Sequence, residues 1–166
     1  MSNLPASAAL DERVIEAVIA RLRTVRSASG YRTDAGSRVY DSRINVEDAG
    51  AGTLVVWETN ESTGTAAATS DQYTFDTVLG FAVDAFYPCD REDTGKALRA
   101  IKADVKRCLM QDLRTWLAPV LKFGVLSYQG AQLFPRIEGS TVEGVTLNFT
   151  VTYREVYGDP SSQTSA

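Results

Sequence analysis

Val145-Thr146-Leu147-Asn148-Phe149-Thr150-Val151-Thr152-Tyr153-Arg154 alternates apolar and polar side chains without a break. A period of two is the signature of a strand with one buried and one wet face. Its members are β-branched or aromatic nearly throughout, so propensity and pattern agree. Tyr73 to Tyr87 repeats the character, with Tyr73, Phe75, Leu79, Phe81, Val83, Ala85 and Tyr87 on one face. Strands this long require a sheet with an apolar layer over it. The chain therefore reads as α+β: an antiparallel or mixed sheet with two main helices packed on one face, a single domain over residues 1–157. Residues 158–166, rich in Ser, read as a flexible tail.

The covering helices are visible by their spacing. Leu10, Val14, Ala17, Val18, Leu22 and Val25, widened by Ile15 and Ile19, predict a helix from about Ala8 to Ser27. Asp11 and Glu12 early, and Arg21 and Arg23 late, suit its dipole. Leu98, Ile101, Val105, Cys108 and Leu109 predict the inner face of a second helix ending near Asp112. Asp90 and Asp93 read as its N-cap and a variant capping box. Lys96, Arg99, Lys102 and Lys106 form a basic strip on its outer side. A solvated face explains that strip more simply than a DNA-contacting one, and it could also meet an acidic patch on an adjacent subunit.

Between these elements, Arg38 to Ile44 reads as a short strand and Leu54 to Trp57 as a compact one. Asn60 to Gln72 is small and polar, and predicts a projecting loop at a hairpin tip, with Asn60, Glu61 and Asp71 as its contact residues. Gly80 splits Tyr73–Tyr87 more naturally into two strands joined by a kink than into a single ribbon reaching a neighbouring subunit. Leu113 to Lys122 is ambiguous, since Trp116 and Leu117 call for burial while Pro119 blocks a continuous helix. Phe123 to Tyr128 and Gln132 to Ile137 predict two short strands, Pro135 marking the second as an edge.

Composition narrows the chemistry. The 166 residues include no histidine, which removes the commonest general base and metal ligand. A net charge of -4 argues against a nucleic-acid-binding chain. Two cysteines are too few for a disulfide framework and suggest a reducing compartment. No apolar run reaches bilayer-spanning length, and Met1 to Ala9 lacks the pattern of a secretion signal. No phosphate loop, dinucleotide fingerprint, zinc spacing or nucleophile elbow occurs, so no catalytic residue, cofactor or metal is expected. Asp76 and Asp84 leave open a carboxylate dyad, although solvated charges on a strand's polar face are the ordinary finding.

The order of the pieces is itself a signal. An amphipathic helix is followed by Gly30-Tyr31-Arg32-Thr33-Asp34-Ala35-Gly36-Ser37-Arg38-Val39. A hairpin and a long charged helix ending Leu109-Met110-Gln111-Asp112-Leu113 come next. Leu147-Asn148-Phe149-Thr150-Val151-Thr152-Tyr153 and Gly158-Asp159-Pro160 close the series. This order resembles that of the tail terminator (tail completion, or minor tail) proteins of long-tailed bacteriophages. The resemblance implies a non-enzymatic virion protein at the head-proximal end of the tail, made in the host cytoplasm. It further implies a homo-hexameric ring that caps the tail tube, ends tube polymerisation and offers the surface joining the head. The implied partners are the tail-tube protein and a head-tail connector or neck protein, with genome DNA passing through the lumen without sequence-specific binding. Arg38, Asp41 and Arg43 are then expected near the ring rim, where charge pairing sets register between protomers. The alternatives are another phage neck or tail-tube protein, or a small carboxylate-dyad hydrolase.

Overall fold

The computed structural model describes residues 8–42, 50, 52–68, 73–89, 92–134 and 139–163, without the side chains of 65–68. Its elements are α1 (Leu10–Leu22), β1 (Val39–Asp41), β2 (Thr53–Ala68), β3 (Tyr73–Pro88), α2 (Thr94–Met110), α3 (Leu113–Trp116), β4 (Gly124–Leu133) and β5 (Val142–Val156). One five-stranded sheet runs in the order β1-β2-β3-β5-β4. β1 is parallel to β2 and every other pairing is antiparallel, so the sheet is mixed.

Strand β5 holds the predicted alternation: Val145, Leu147, Phe149, Val151 and Tyr153 are all buried. Paired residues share a face, so Phe149 opposite Phe81, and Leu147 opposite Val83, extend the same apolar layer. Phe81 and Phe149 stack with centroids 5.3 Å apart, and Tyr128 of β4 leans on Phe149 at 5.4 Å. α1 packs against β1 and β2, while α2 packs against β3, β5 and β4. The inner face of α2 is buried as predicted, from Leu98 to Leu109. Each such Leu, Val or Phe removed from water contributes roughly 1.5–3 kcal/mol.

Several boundaries differ from expectation. α1 ends at Leu22, five residues early, because Val25 N–H bonds to the Leu22 carbonyl and Thr24 Oγ1 to the Arg21 carbonyl. That tightening closes the last turn. Val25 stays buried all the same. β3 is one continuous strand, not two joined by a kink. The irregularity lies across from Gly80, where β2 shifts register between Glu58 and Asn60. Gly80 is needed there because a Cβ would overlap Asn60 and come within 2.7 Å of Thr59 Oγ1. The projecting loop is also corrected: Asn60 to Ala68 continue β2, paired with β3 along the length of a hairpin.

β4 is likewise a single strand, and Gln129-Gly130 is a register shift within it rather than a turn. It is an edge strand, as expected, although Pro135 itself lies outside the described residues. At the N-terminus of α2 the expected capping pair is only partly within the described residues. Asp93 makes no side-chain capping bond, Asp90 lies outside the described residues, and Thr94 Oγ1 instead donates to the Pro88 carbonyl at 2.8 Å.

Beyond β5 the chain turns at Tyr157 and Gly158 and packs back on the body. The Pro160 carbonyl accepts from Leu10 N–H at 2.9 Å, satisfying a first-turn donor of α1 that no side chain caps. Gln163 Oε1 accepts from Lys122 N–H at 2.6 Å. The described part of that segment, residues 158–163, thus bonds both to α1 and to the stretch before β4.

Candidate assembly surfaces

The sheet ends in two unlike edges. On one side β4 has only β5 as a neighbour. On the other, β1 covers β2 only from Leu54 to Val56. From Trp57 to Ala68, among the described residues, β2 pairs with β3 alone. An open run of backbone N–H and C=O groups is a template for another chain.

Each edge carries its own charge. Glu58 and Glu61 of β2 lie opposite Phe81 and Leu79, so both stand on the helix-covered face. Asp11 of α1 and Asp41 at the end of β1 act on the same spot. Burial, followed by repulsion from Asp11, Glu61 and Asp41, pushes the Glu58 carboxyl above its ordinary range. Deeper in, Glu155 prolongs the buried parity of β5 and is 6% exposed; its carboxylate accepts from Thr77 Oγ1 at 2.6 Å. Burial raises its pKa, with the Thr77 bond opposing. Beside it the Tyr153 hydroxyl is held neutral by burial and by the surrounding carboxylates, and has no hydrogen-bond partner among the described residues.

At the opposite edge, Lys106 Nζ sits 4.3 Å from the centre of the Tyr128 ring on β4. Lys102 and Arg99 continue the ridge one and two turns back, spacings that share a helix face. Arg99 and Lys96 are exposed; Lys102 and Lys106 are half-buried. A cleft of about 630 Å³ opens between Leu113–Phe123 and the start of β4, walled by Leu117, Leu121, Phe123 and Val125, with Asp76 and Arg154 at its border.

Of the rim residues expected from the sequence, Arg38 is half-buried just before β1 and Asp41 is exposed at its end. Arg43 and Asp71 lie outside the described residues. Asn60 and Glu61 are exposed on a strand instead of in a loop. Asp41 and Glu61 come together, whereas the basic strip stands on the other flank. Nothing in the sequence marks Asp11 and Glu58 as part of this group: Asp11 suits the dipole of its own helix, and Glu58 follows the strand expected to end at Trp57.

The loop Gly30–Val39 is anchored by residues the periodicity hid. Asp104, 2% exposed on α2, accepts from Arg32 N–H and Thr33 Oγ1, both at 2.9 Å. Arg107 lies over the Tyr31 ring and donates to the Gly30 carbonyl at 2.8 Å. A charge inside the apolar stripe of a helix is tolerated because these donors satisfy it.

The possible dyad does not form. Asp76 and Asp84 stand eight positions apart on one strand, about 26 Å at ~3.3 Å per residue. Paired catalytic carboxyls sit within about 10 Å of each other. Asp76 is bonded to Arg154 at 2.8 Å, and Asp84 accepts from Thr146 Oγ1 at 2.6 Å. The Trp57 indole N–H lies near enough to Asp84 to lower its pKa but makes no bond of good geometry, and burial still leaves that pKa raised. Among the described residues, no group of three or more acidic or thiol side chains is placed to hold a metal.

No protein-family model matches the chain. No curated relative matches it either. Among solved structures, it is similar to a chain of the virion of the native gene transfer agent particle, at 18% identity over 90% of this chain and 94% of that one, with a TM-score of 0.39. At that score the likeness fixes neither family nor function.

Proposed function

We propose that this chain is a structural protein of a phage virion that closes into a hexameric ring: a tail terminator. In this reading the ring caps the tail tube, stops further tube subunits from adding, and presents its far face to a head-tail connector or neck protein. Genome DNA passes through the lumen without base-specific contacts.

The observation that carries this reading is the pair of unlike open edges at the two ends of one sheet. A closed ring is a heterologous assembly, in which each protomer offers two different surfaces that fit one another. An isologous dimer would need only one. The sequence stretches behind the resemblance add support, since the Gly30–Val39 loop and α2 are bonded to each other at Asp104 and Arg107.

A tube subunit needs similar edges, but it polymerises where a terminator stops after one ring. Electron microscopy of the purified chain, alone and mixed with tail tubes from the same particle, separates the two. A terminator gives single rings and tubes of fixed length with a cap at one end. Extended filaments of this chain alone would assign it to the tube instead.

A further inference from the structure

We propose that the subunit contact is an edge-to-edge joint between copies of this chain, in which the α2 ridge Arg99–Lys102–Lys106 of one copy docks on the Asp11–Asp41–Glu58–Glu61 shoulder of the next. The joint lays the β4 edge of the first copy beside the open outer half of β2 in the second. It rests on the ring-forming reading above, and adds which surfaces meet.

The two charged groups occupy opposite flanks. α1 and its acidic neighbours lie over β1 and β2, while α2 lies over β3, β5 and β4. Both groups stand on the helix-covered side of the sheet. Glu58 and Glu61 share the face of Phe81 and Leu79, and Lys106 reaches the Tyr128 ring from α2. Bringing β4 of one copy alongside β2 of the next therefore carries the ridge over the shoulder. The two halves of the contact come from one translation with rotation, and the helical layer continues across the joint.

Among the described residues, neither group has an ion-pair partner of opposite charge: the ion pairs there join Arg21 to Asp112 and Arg154 to Asp76. Glu58 feels burial first and then the negative charge of Asp11, Glu61 and Asp41, so an arriving row of cations would meet a concentrated negative field. Opposed patches of this kind steer association and fix register. The open backbone edges supply the sequence-independent part of the contact by adding one strand to another sheet. Duplex DNA is the competing partner for a basic ridge. The matching acidic shoulder at the mating edge and the net charge of -4 favour another copy of the chain.

Charge reversal in two separate chains tests the joint. One variant carries Glu58→Lys and Glu61→Lys, the other Arg99→Glu and Lys102→Glu. Circular dichroism of each first establishes folding, and the mass in solution without DNA is then measured by sedimentation. Each variant alone should associate about a hundredfold or more weakly than the parent, since like charges then face each other. An equimolar mixture should restore the ring, because alternating copies present opposite charges at every joint. A variant carrying all four substitutions should also assemble alone.

Parent-like assembly by each single-flank variant overturns the joint while leaving the ring intact. So does a mixture of folded variants that stays monomeric. Loss of duplex DNA retention by the Arg99/Lys102 variant with unchanged assembly gives the ridge to DNA and likewise overturns the joint. A parent that forms no ring, either alone or on tube ends, removes the ring reading itself.

Discussion

Arg21 and Cys108 are bonded to each other twice. The Arg21 Nε–H donates to the Cys108 carbonyl at 2.9 Å, and the Cys108 thiol donates to the Arg21 carbonyl at 3.2 Å. The same guanidinium extends to the Gln111 carbonyl at 3.4 Å and to Asp112 at 3.9 Å. It thereby caps the last turn of α2, where carbonyls lack helical partners and the dipole favours a cation. Arg21→Ala should lower stability by about 1–2 kcal/mol. In urea this appears as a lower midpoint with an unchanged slope. An unmoved midpoint would show that the guanidinium adds nothing to the hold between the two helices.

Gly36 sits where two backbone segments touch. Its N–H bonds to the Val25 carbonyl at 3.0 Å, and an added Cβ would stand 2.5 Å from Leu22 O and 2.7 Å from Val25 O. These are backbone atoms of the end of α1 and of the residues just after it, and cannot rotate aside. Gly36→Ala should cost about 1–3 kcal/mol, as other overpacked interiors do. A thermal melt gives the check, and an unchanged melting temperature would mean that the loop has another way to lie.

Stability should depend on pH through Glu155. Its folded pKa is raised by burial, so the folded state holds the proton more tightly than the unfolded chain. The stability this gives is fully present below the unfolded value of 4.5 and is lost as pH rises through the folded pKa. Glu58 and Asp84, raised mainly by burial, act in the same direction. Asp34 and Asp159 run the other way: hydrogen bonds from Ser27, and from Ser161 and Ser162, lower their pKa values. Their contribution is present above the ordinary carboxylate range and disappears on acidification. Glu155→Gln should therefore melt higher than the parent at pH 8, with the gap closing by about pH 4. A difference that stays constant with pH would trace the effect to shape and not to charge.

How much of this could be read from the sequence follows the hydrophobic signal. Where apolar residues recur, in β5, α1, α2 and the Leu79–Ala85 part of β3, the buried face is legible. Yet β3 runs on unbroken past Gly80, and Tyr73 at its outer end is exposed. The outer half of β2 is not, because Thr59 to Ala68 carry no large apolar side chain while pairing with β3 needs only backbone. Gln129-Gly130 resembles a turn, since Gly130 adopts a φ of 131°, yet β5 pairs on both sides of it and absorbs the irregularity as a register shift. Glu155 was hidden by its own charge: the parity of β5 points it inward, but a carboxylate at the end of a strand reads as solvated. Asp104 was hidden in the same way, and only its distant partners Arg32 and Thr33 explain its burial. The acidic shoulder joins α1, β1 and β2, so no local pattern announces it.

The mass of the assembled species tests the ring most directly. Sedimentation of the full chain across a wide concentration range, repeated with short tail tubes present, should give one closed species of six copies and nothing larger. A chain that stays monomeric on its own and leaves tube ends bare, or that grows without limit, contradicts it.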